Sequence, residues 1–352
     1  MSRPTVGVLL SLNRWVRLGT NPLAARLYER SNAGTLVLVA IVLTAISTAG
    51  YALPTYLGVF IAARLLWGFC FSLLRLGSFL SALEDAAVHA GRRIGNLRAV
   101  WGIGYFGGAI YAPFALEAWG WTTAILVAAA LSLALGLGPA LIAAPWRRNI
   151  QVVEGHVPAS VWEPRFLALF AAATLQLALF AGLLVAAGGF RIDELFHFGA
   201  PVLGALVPAA FVAGAFALTQ RLAQVAWTPV AGRLGDRSAN AAFGLSTAVA
   251  VVCVALLALP LDPIPFVLIG GFAFVNGLTA TIAVELAVAR RSREVDRPRI
   301  LAALHTWQDG GAAAGALAGG ILATLGAAPA LIAGAAVLAL TMPLWWASVV
   351  RA

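Results

Sequence analysis

Ten apolar runs, each of about 20–28 residues, fill most of the chain, and short polar loops separate them. The runs are 34–54, 56–83, 100–118, 121–144, 165–190, 201–226, 241–260, 264–289, 300–325 and 328–349. A helix needs about 20 apolar residues to cross a ~30 Å hydrocarbon layer, so each run is long enough for one crossing. Apolar residues make up 61% of the chain and charged residues only 11%, a balance that no soluble fold of this length requires. The sequence therefore predicts an all-α, multi-pass membrane protein.

A charged segment occurs twice, each time between apolar runs. One copy reads Asn21-Pro-Leu-Ala-Ala-Arg-Leu-Tyr-Glu-Arg-Ser31, and the other reads Thr228-Pro-Val-Ala-Gly-Arg-Leu-Gly-Asp-Arg-Ser238. The copies are 207 residues apart and are identical at six of eleven positions. Upstream, Asn13-Arg14 and Gln220-Arg221 correspond at the same offset. A charged segment that recurs in a membrane chain indicates an internal duplication.

The second copy contains Gly232-x-x-x-Asp236-Arg237, which resembles the signature loop of the major facilitator superfamily. That loop joins the second and third helices of each half in this family. The first copy departs from the pattern, because Ala25 replaces the glycine and Glu29 replaces the aspartate. The resemblance implies two pseudo-symmetric six-helix halves, which expose a central site alternately to each side of the membrane.

The repeat offset also predicts where the halves begin. Two apolar runs, 165–190 and 201–226, precede the second copy, whereas only the apolar residues 4–13 precede the first. We therefore expect an incomplete N-terminal half, without its first helix and part of its second, in which 4–13 forms the cytoplasmic part of that second helix. The expected divisions are an N-terminal half over 1–146, a cytoplasmic linker over 147–164 and a six-helix C-terminal half over 165–352.

The distribution of arginine predicts the orientation. Most arginines fall in the charged segments and in the other loops on the same side, whereas the opposite loops hold only Arg191. The positive-inside rule assigns the arginine-rich side to the cytoplasm. The chain contains arginine and no lysine and is rich in alanine and glycine, which is typical of a GC-rich bacterial genome. We therefore expect a bacterial cytoplasmic membrane.

Two arginines interrupt the run 56–83. Arg64 and Arg75 are eleven residues apart, or three helical turns, so both side chains are expected on one helix face. Charged groups inside a membrane are costly and usually face a cavity or a partner. Arg64-x-x-x-Gly68 also resembles a family motif whose arginine is associated with proton coupling. Both arginines are therefore candidates for the transport pathway, and the alternative is that they brace neighbouring helices.

A second cluster lies in the run 300–325. His305, Gln308 and Asp309 share one helix face by their i, i+3, i+4 spacing. A buried carboxyl beside a histidine can carry a proton, because burial favours its uncharged form. The alternative is that Asp309 pairs structurally with an arginine. Gln176 and Asn276 are further pathway candidates, and either could instead form an interhelical hydrogen bond.

The charged segments themselves are predicted to form a gate. Arg26 and Arg30 could pair with Glu84 and Asp85 at the cytoplasmic end of the run 56–83. In the family such charges hold the halves together, and a few weak pairs can bias two conformations of similar energy. The predicted gating residues are Arg26, Glu29, Arg30, Glu84, Asp85, Gly232, Asp236 and Arg237.

Three functions are compatible with the sequence. The first is proton-coupled export of a small apolar compound, an antiport reaction. The second is transport of an organic anion whose carboxylate or phosphate binds Arg64 and Arg75. The third is a truncated membrane protein that does not transport. An enzyme, a cofactor and a nucleic-acid partner are not expected, and Cys70 and Cys253 are predicted core residues. The expected partners are a small molecule, protons and the lipid bilayer, with the protein as a monomer.

Overall fold

The computed structural model describes residues 3–53, 56–84, 89–143 and 157–350. The N-terminal helices are α1 (Arg3–Arg30), α2 (Ala33–Gly50), α3 (Leu57–Leu83) and α4 (Ala90–Ala143). The C-terminal helices are α5 (Pro164–Ala178), α6 (Leu184–Phe196), α7 (Ala209–Leu222), α8 (Thr228–Arg237), α9 (Ala239–Leu256), α10 (Pro263–Arg291), α11 (Arg297–Leu322), α12 (Ala327–Ala339) and α13 (Thr341–Val350). The predicted linker lies largely within 144–156, outside the described residues.

Several helix ends follow from local sequence. The Asn32 side chain accepts hydrogen bonds from the backbone N–H groups of Gly34 and Thr35 and so caps α2. Ser238 caps α9 in the same way. Proline occupies the first turn of α5, α8, α10 and α11, where its missing N–H costs nothing.

The described helices match the ten predicted spans in number. Eight are long and apolar enough to cross a membrane, and one of these, α4, consists of two helices that meet at Gly120, whose φ of 72° and ψ of 173° are not helical. The tenth span is α11, which contains Asp309 and other charged residues and is not among the eight. The all-α membrane fold is therefore confirmed.

The charged segments are helical, which corrects the prediction of loops. Residues 21–30 complete α1 and continue without a break from the apolar residues 4–13, and residues 228–237 form α8. Charge was taken as a sign of a loop, but each segment is the polar end of a helix.

The predicted span 201–226 also needs correction. Residues 200–207 form a small antiparallel hairpin, β1 (Ala200–Val202) and β2 (Ala205–Val207), and the helix begins only at Ala209. Leu203 and Gly204 turn the chain with φ values of 50° and 85°, which a helix does not allow. Composition could not separate the hairpin from the helix because both are apolar.

Two short π-helical segments widen the C-terminal helices. Leu179–Leu183 lies between α5 and α6, and Ala223–Trp227 lies between α7 and α8. Gly182 packs there against the backbone of Gly315 and Ala316 in α11. Such segments occur frequently at functional sites because they redirect backbone carbonyls and side chains.

The two sets of helices meet along two seams at the arginine-rich end. Helix α1 packs against α11, and the first part of α4 packs against α8. One apolar core crosses between the sets there and includes Phe79, Ile94 and Leu301, while a second core lies within the C-terminal helices. The seams therefore close the end that the arginine distribution assigns to the cytoplasm.

Candidate functional site

A cavity of about 370 Å³ lies between the two sets of helices. The N-terminal helices contribute Arg14, Arg98 and Tyr105 to its wall. The C-terminal helices contribute polar and aromatic groups, among them Gln220, Arg221, Gln224, Phe180 and Phe274. The described lining thus contains three arginines and no aspartate or glutamate. A pocket of this size, with aromatic walls and a few polar groups, suits a small organic molecule.

Arg14 and Arg221 occupy equivalent positions in the internal repeat. They are 207 residues apart, which is the offset of the charged segments. Arg14 lies in α1 and Arg221 in α7, and the two helices approach the cavity from opposite sets. The pseudo-symmetry of the halves explains why both arginines reach one site.

The two guanidinium groups have no carboxylate partner among the described residues. Arg14 Nη1 donates to the carbonyls of Ala312, at 2.9 Å, and of Ala181 in the first π-helical segment, at 3.3 Å. Arg221 lies over the ring of Tyr105, with its Cζ atom 5.1 Å from the ring centroid. Both arginines are therefore held in the cavity wall by neutral groups.

Arg98 is held differently. Its Nε donates to Glu285 Oε2 at 2.8 Å, and its Nη2 donates to Glu285 Oε1. Glu285 belongs to α10 and is fully buried, so this two-pronged ion pair joins the two sets of helices beside the cavity. Gln308 Nε2 also donates to Glu285 Oε1, at 3.1 Å.

Asp309 is the centre of a second buried cluster. Arg17 Nη1 lies 3.1 Å from Asp309 Oδ1, and Arg75 Nη1 lies 3.3 Å from the same atom. Asn21 Nδ2 donates to Asp309 Oδ2 at 3.0 Å. Arg75 Nη2 also donates to Gln308 Oε1, so Gln308 connects the Asp309 cluster to the Arg98–Glu285 pair. The described network therefore ties α1, α3 and α4 to α10 and α11.

Asp236 links the sets at the second seam. Its Oδ1 accepts from the backbone N–H of Gly91 and its Oδ2 from that of Arg92, both at 2.8 Å. These are orphan donors in the first turn of α4, where a negative charge is also favoured by the helix dipole. Arg290 Nη2 lies 3.1 Å from the same carboxylate. Gly232 and Gly91 allow close backbone contact, since a Cβ on either one would overlap the other's carbonyl oxygen.

The first seam has looser polar contacts at its surface. Glu29 Oε1 lies 3.7 Å from Arg299 Nε, and both side chains are partly exposed. Arg26 borders a small pocket there, and Arg30 and Arg237 are exposed. The carbonyl of Glu84 accepts from Arg93, while Asp85, its predicted neighbour in the gate, lies outside the described residues.

Sequence similarity decides the family. The model of the Major Facilitator Superfamily matches residues 1–284. The chain belongs to this family. No curated protein matches it by sequence. The facilitator fold is shared with the human organic anion transporter MFSD10 (TETRAN), at 17% identity and a TM-score of 0.77 over 96% of this chain and 83% of the other.

Two further solved structures share the facilitator fold. FucP, a facilitator-family transporter in its outward conformation, has 11% identity and a TM-score of 0.72 over 100% of this chain and 91% of its own. A variant of the Escherichia coli fucose:proton symporter FucP has 11% identity and a TM-score of 0.71 over 98% of this chain and 90% of its own. The protein is therefore a multi-pass membrane transporter of the facilitator type.

None of the predicted pathway residues is in the described lining of the central cavity. Arg64 lies over Tyr51 and Phe60, with its Cζ atom 5.6 Å and 5.5 Å from the two ring centroids. Arg75 borders a separate apolar groove of about 760 Å³ between α2, α3 and α4. The two arginines therefore have different surroundings, although both belong to the uninterrupted helix α3.

The remaining candidates are mostly buried. His305 packs edge-on against Phe79 at 5.0 Å, and Gln176 is fully buried. Asn276 donates to the carbonyl of Phe272 in its own helix. Of the predicted pathway residues, Arg75, Gln308 and Asp309 are connected by hydrogen bonds among the described residues.

Four residues of the site were not predicted from the sequence: Arg14, Arg98, Arg221 and Glu285. Arg14 and Arg221 had a signal, because they repeat at the offset of the charged segments. The sequence interpretation placed Arg98 in the loop before the run 100–118 and Glu285 at the membrane interface, near the cytoplasmic end of the run 264–289. Helix α4 begins at Ala90 and α10 continues to Arg291, so both residues lie inside helices.

Proposed function

We propose that the protein is a secondary active transporter of a small organic anion and works by alternating access. The observation that carries this proposal is the cavity wall, in which three arginines and no acidic residue are described. An arginine without a counter-ion is costly inside a membrane, and a bound anion offsets that cost. Planar guanidinium groups also suit the paired oxygens of a carboxylate or phosphate.

The organic-anion alternative from the sequence is therefore favoured, with a different pair of arginines as the anion-binding residues. Arg14 and Arg221 replace Arg64 and Arg75, because only the former pair borders the central cavity. An apolar export substrate would leave both guanidinium charges uncompensated and is less favoured. The likeness to an organic anion transporter supports the fold and agrees with the anion proposal.

Proton coupling is a second part of the proposal. Asp309 is buried between arginines of α1 and α3 while it belongs to α11 itself. Movement between the sets would change the distance from the carboxylate to these arginines, and therefore the charges that surround it in each conformation. We place the transporter, as a monomer, in a bacterial cytoplasmic membrane with its arginine-rich end in the cytoplasm.

The test is transport by the purified protein in liposomes. Uptake of benzoate, phthalate and 2-naphthoate is compared with uptake of the matching neutral amides, with and without a pH step. We expect the acids to be transported and the amides not. Arg221→Gln and Arg14→Gln should each lower acid uptake at least tenfold, whereas Arg64→Gln should have a much smaller effect. Equal uptake of acids and amides would contradict the proposal.

The same assay tests the proton. Asp309→Asn should abolish accumulation in response to a pH step and leave exchange at equal pH partly intact. Accumulation by correctly inserted Asp309→Asn protein would show that another group carries the proton or that none does.

A further inference from the structure

Arg98 takes part both in the wall of the central cavity and in an ion pair between the two sets of helices. It borders the central cavity together with Arg14 and Arg221. It also forms the buried ion pair with Glu285, which joins α4 of the N-terminal set to α10 of the C-terminal set. A change of partner at Arg98 would therefore alter both the binding of a ligand in the cavity and the contact between the two sets of helices.

Glu285 depends on Arg98 for its charge compensation. Its side chain is fully buried, and the donors that reach it among the described residues are two from Arg98 and one from Gln308. Without Arg98 the carboxylate would keep one neutral donor, and a buried charge so poorly paired is strongly destabilising. Release of Arg98 from Glu285 would therefore weaken the closed contact between α4 and α10.

A ligand carboxylate can compete for the same guanidinium group. It offers two oxygens in the geometry that Glu285 uses, and it would also be attracted by Arg14 and Arg221. Glu285 is fixed on α10, whereas a ligand in the cavity has all three arginines around it. The anion therefore has more positive charge available than Glu285 has.

We propose that the transported anion displaces Glu285 from Arg98 and thereby releases the contact between α4 and α10. This inference rests on the proposed anion transport and assigns Arg98 as the residue that couples binding to opening. A ligand shifts a conformational equilibrium only through different affinities for the two states. The exchange supplies that difference, since the anion gains Arg98 only in the state in which Glu285 has released it.

The first measurement is binding of 2-naphthoate to the purified protein by calorimetry, with 2-naphthamide as the neutral control. Glu285→Gln removes the competing charge, so it should bind 2-naphthoate at least tenfold more tightly than the wild type. Arg98→Gln should lose most of the binding. Arg75→Gln is the matched control, because it breaks another buried pair between the sets, with Asp309, but its side chain does not border the central cavity.

The second measurement follows opening at the cytoplasmic end. Spin labels are placed at the exposed positions Ser31 and Arg293 after substitution by cysteine, with Cys70 and Cys253 replaced by alanine. Glu285→Gln, Arg98→Gln and Arg75→Gln should each increase the population with a long distance between labels. In the wild type, 2-naphthoate should increase that population, and 2-naphthamide should not.

The outcomes separate the two proposals. Binding by the wild type with an equal change of affinity in Glu285→Gln and Arg75→Gln would overturn the exchange, because the pair would then be only structural. Failure of 2-naphthoate to bind either the wild type or Glu285→Gln would overturn anion transport of this class together with the exchange. Tighter binding by Glu285→Gln alone supports both.

Discussion

The two charged segments have a common origin in the sequence, yet they hold their seams by different means. In the second copy, the Asp236 carboxylate accepts hydrogen bonds from two backbone N–H groups in the first turn of α4, each at 2.8 Å. In the first copy, Glu29 makes a single contact with Arg299 at 3.7 Å. The 207-residue offset that relates the copies also relates Gly91 to Pro298, and proline has no N–H to donate. The helix opposite the first copy therefore offers one backbone donor fewer than the helix opposite the second copy.

The first seam takes its strong polar contact from deeper in the structure. Asn21, at the start of the first copy, donates to Asp309 in α11, and Thr228, at the equivalent position, donates to the carbonyl of Gly95 in α4. Both seams thus have a buried hydrogen bond at that repeat position. Among the described residues, the second seam alone adds a helix cap, at the arginine-rich surface. The duplication preserved the placement of these groups, while their chemistry diverged.

The largest expected effect comes from the glycine that distinguishes the copies. A Cβ at Gly232 would overlap the backbone of Gly91, so Gly232→Ala must push α8 away from α4 at a cost of roughly 1–3 kcal/mol. We expect at least a tenfold loss of transport in liposomes and a larger distance between labels at Ser31 and Arg293. Ala25→Gly at the equivalent position of the first copy is the control and should have a much smaller effect. Equal losses in the two variants would contradict the proposed difference between the seams.

An intermediate effect is expected from the carboxylates. Asp236→Ala leaves two N–H groups of α4 without their acceptor, and loss of such a cap costs about 0.5–2 kcal/mol. Glu29→Ala removes a partly exposed ion pair worth about 0–1 kcal/mol. The label distance should therefore lengthen more for Asp236→Ala. Added salt should reduce the small effect of Glu29→Ala more than that of Asp236→Ala, because exposed pairs are screened. A larger response from Glu29→Ala would reverse our ranking of the seams.

These comparisons also show what the sequence could and could not predict. The number of spans and the membrane fold could be predicted from the apolar runs, because each run is long enough for one helix to cross the membrane. The sequence did not predict that residues 21–30 and 228–237 are helical. Their charged side chains indicate polar surroundings, and a helix can continue into such surroundings. The hairpin at 200–207 was hidden by its apolar composition, although Leu203-Gly204 between two prolines is a turn signal.

The candidate site was predictable only in part, because a sequence shows which residues need partners but not which partners they find. A charge within an apolar run identified Arg75, Gln308 and Asp309 as residues that need partners. Which partners they have depends on how helices from different parts of the chain pack, and one sequence contains no record of that packing. The pair of Arg98 and Glu285 could not be predicted in this way. The two residues are 187 positions apart, and a prediction would have required the boundaries of both helices.

The smallest effect is expected when the first seam receives the donor that it lacks. Pro298 lies buried in the first turn of α11, and Pro298→Ala would give that turn an additional N–H near the Glu29 side of the seam. A carboxylate at a helix N-terminus gains about 0.3–1 kcal/mol, so the closed cytoplasmic end should become slightly more populated. The label distance between Ser31 and Arg293 should shorten on average, and transport should slow by less than tenfold because opening becomes harder. Pro298→Ala combined with Glu29→Ala should lose this gain, since no carboxylate remains to use the new donor. If the double variant closes as well as Pro298→Ala does, the proline acts through packing or helix geometry, and the missing N–H is not what separates the two seams.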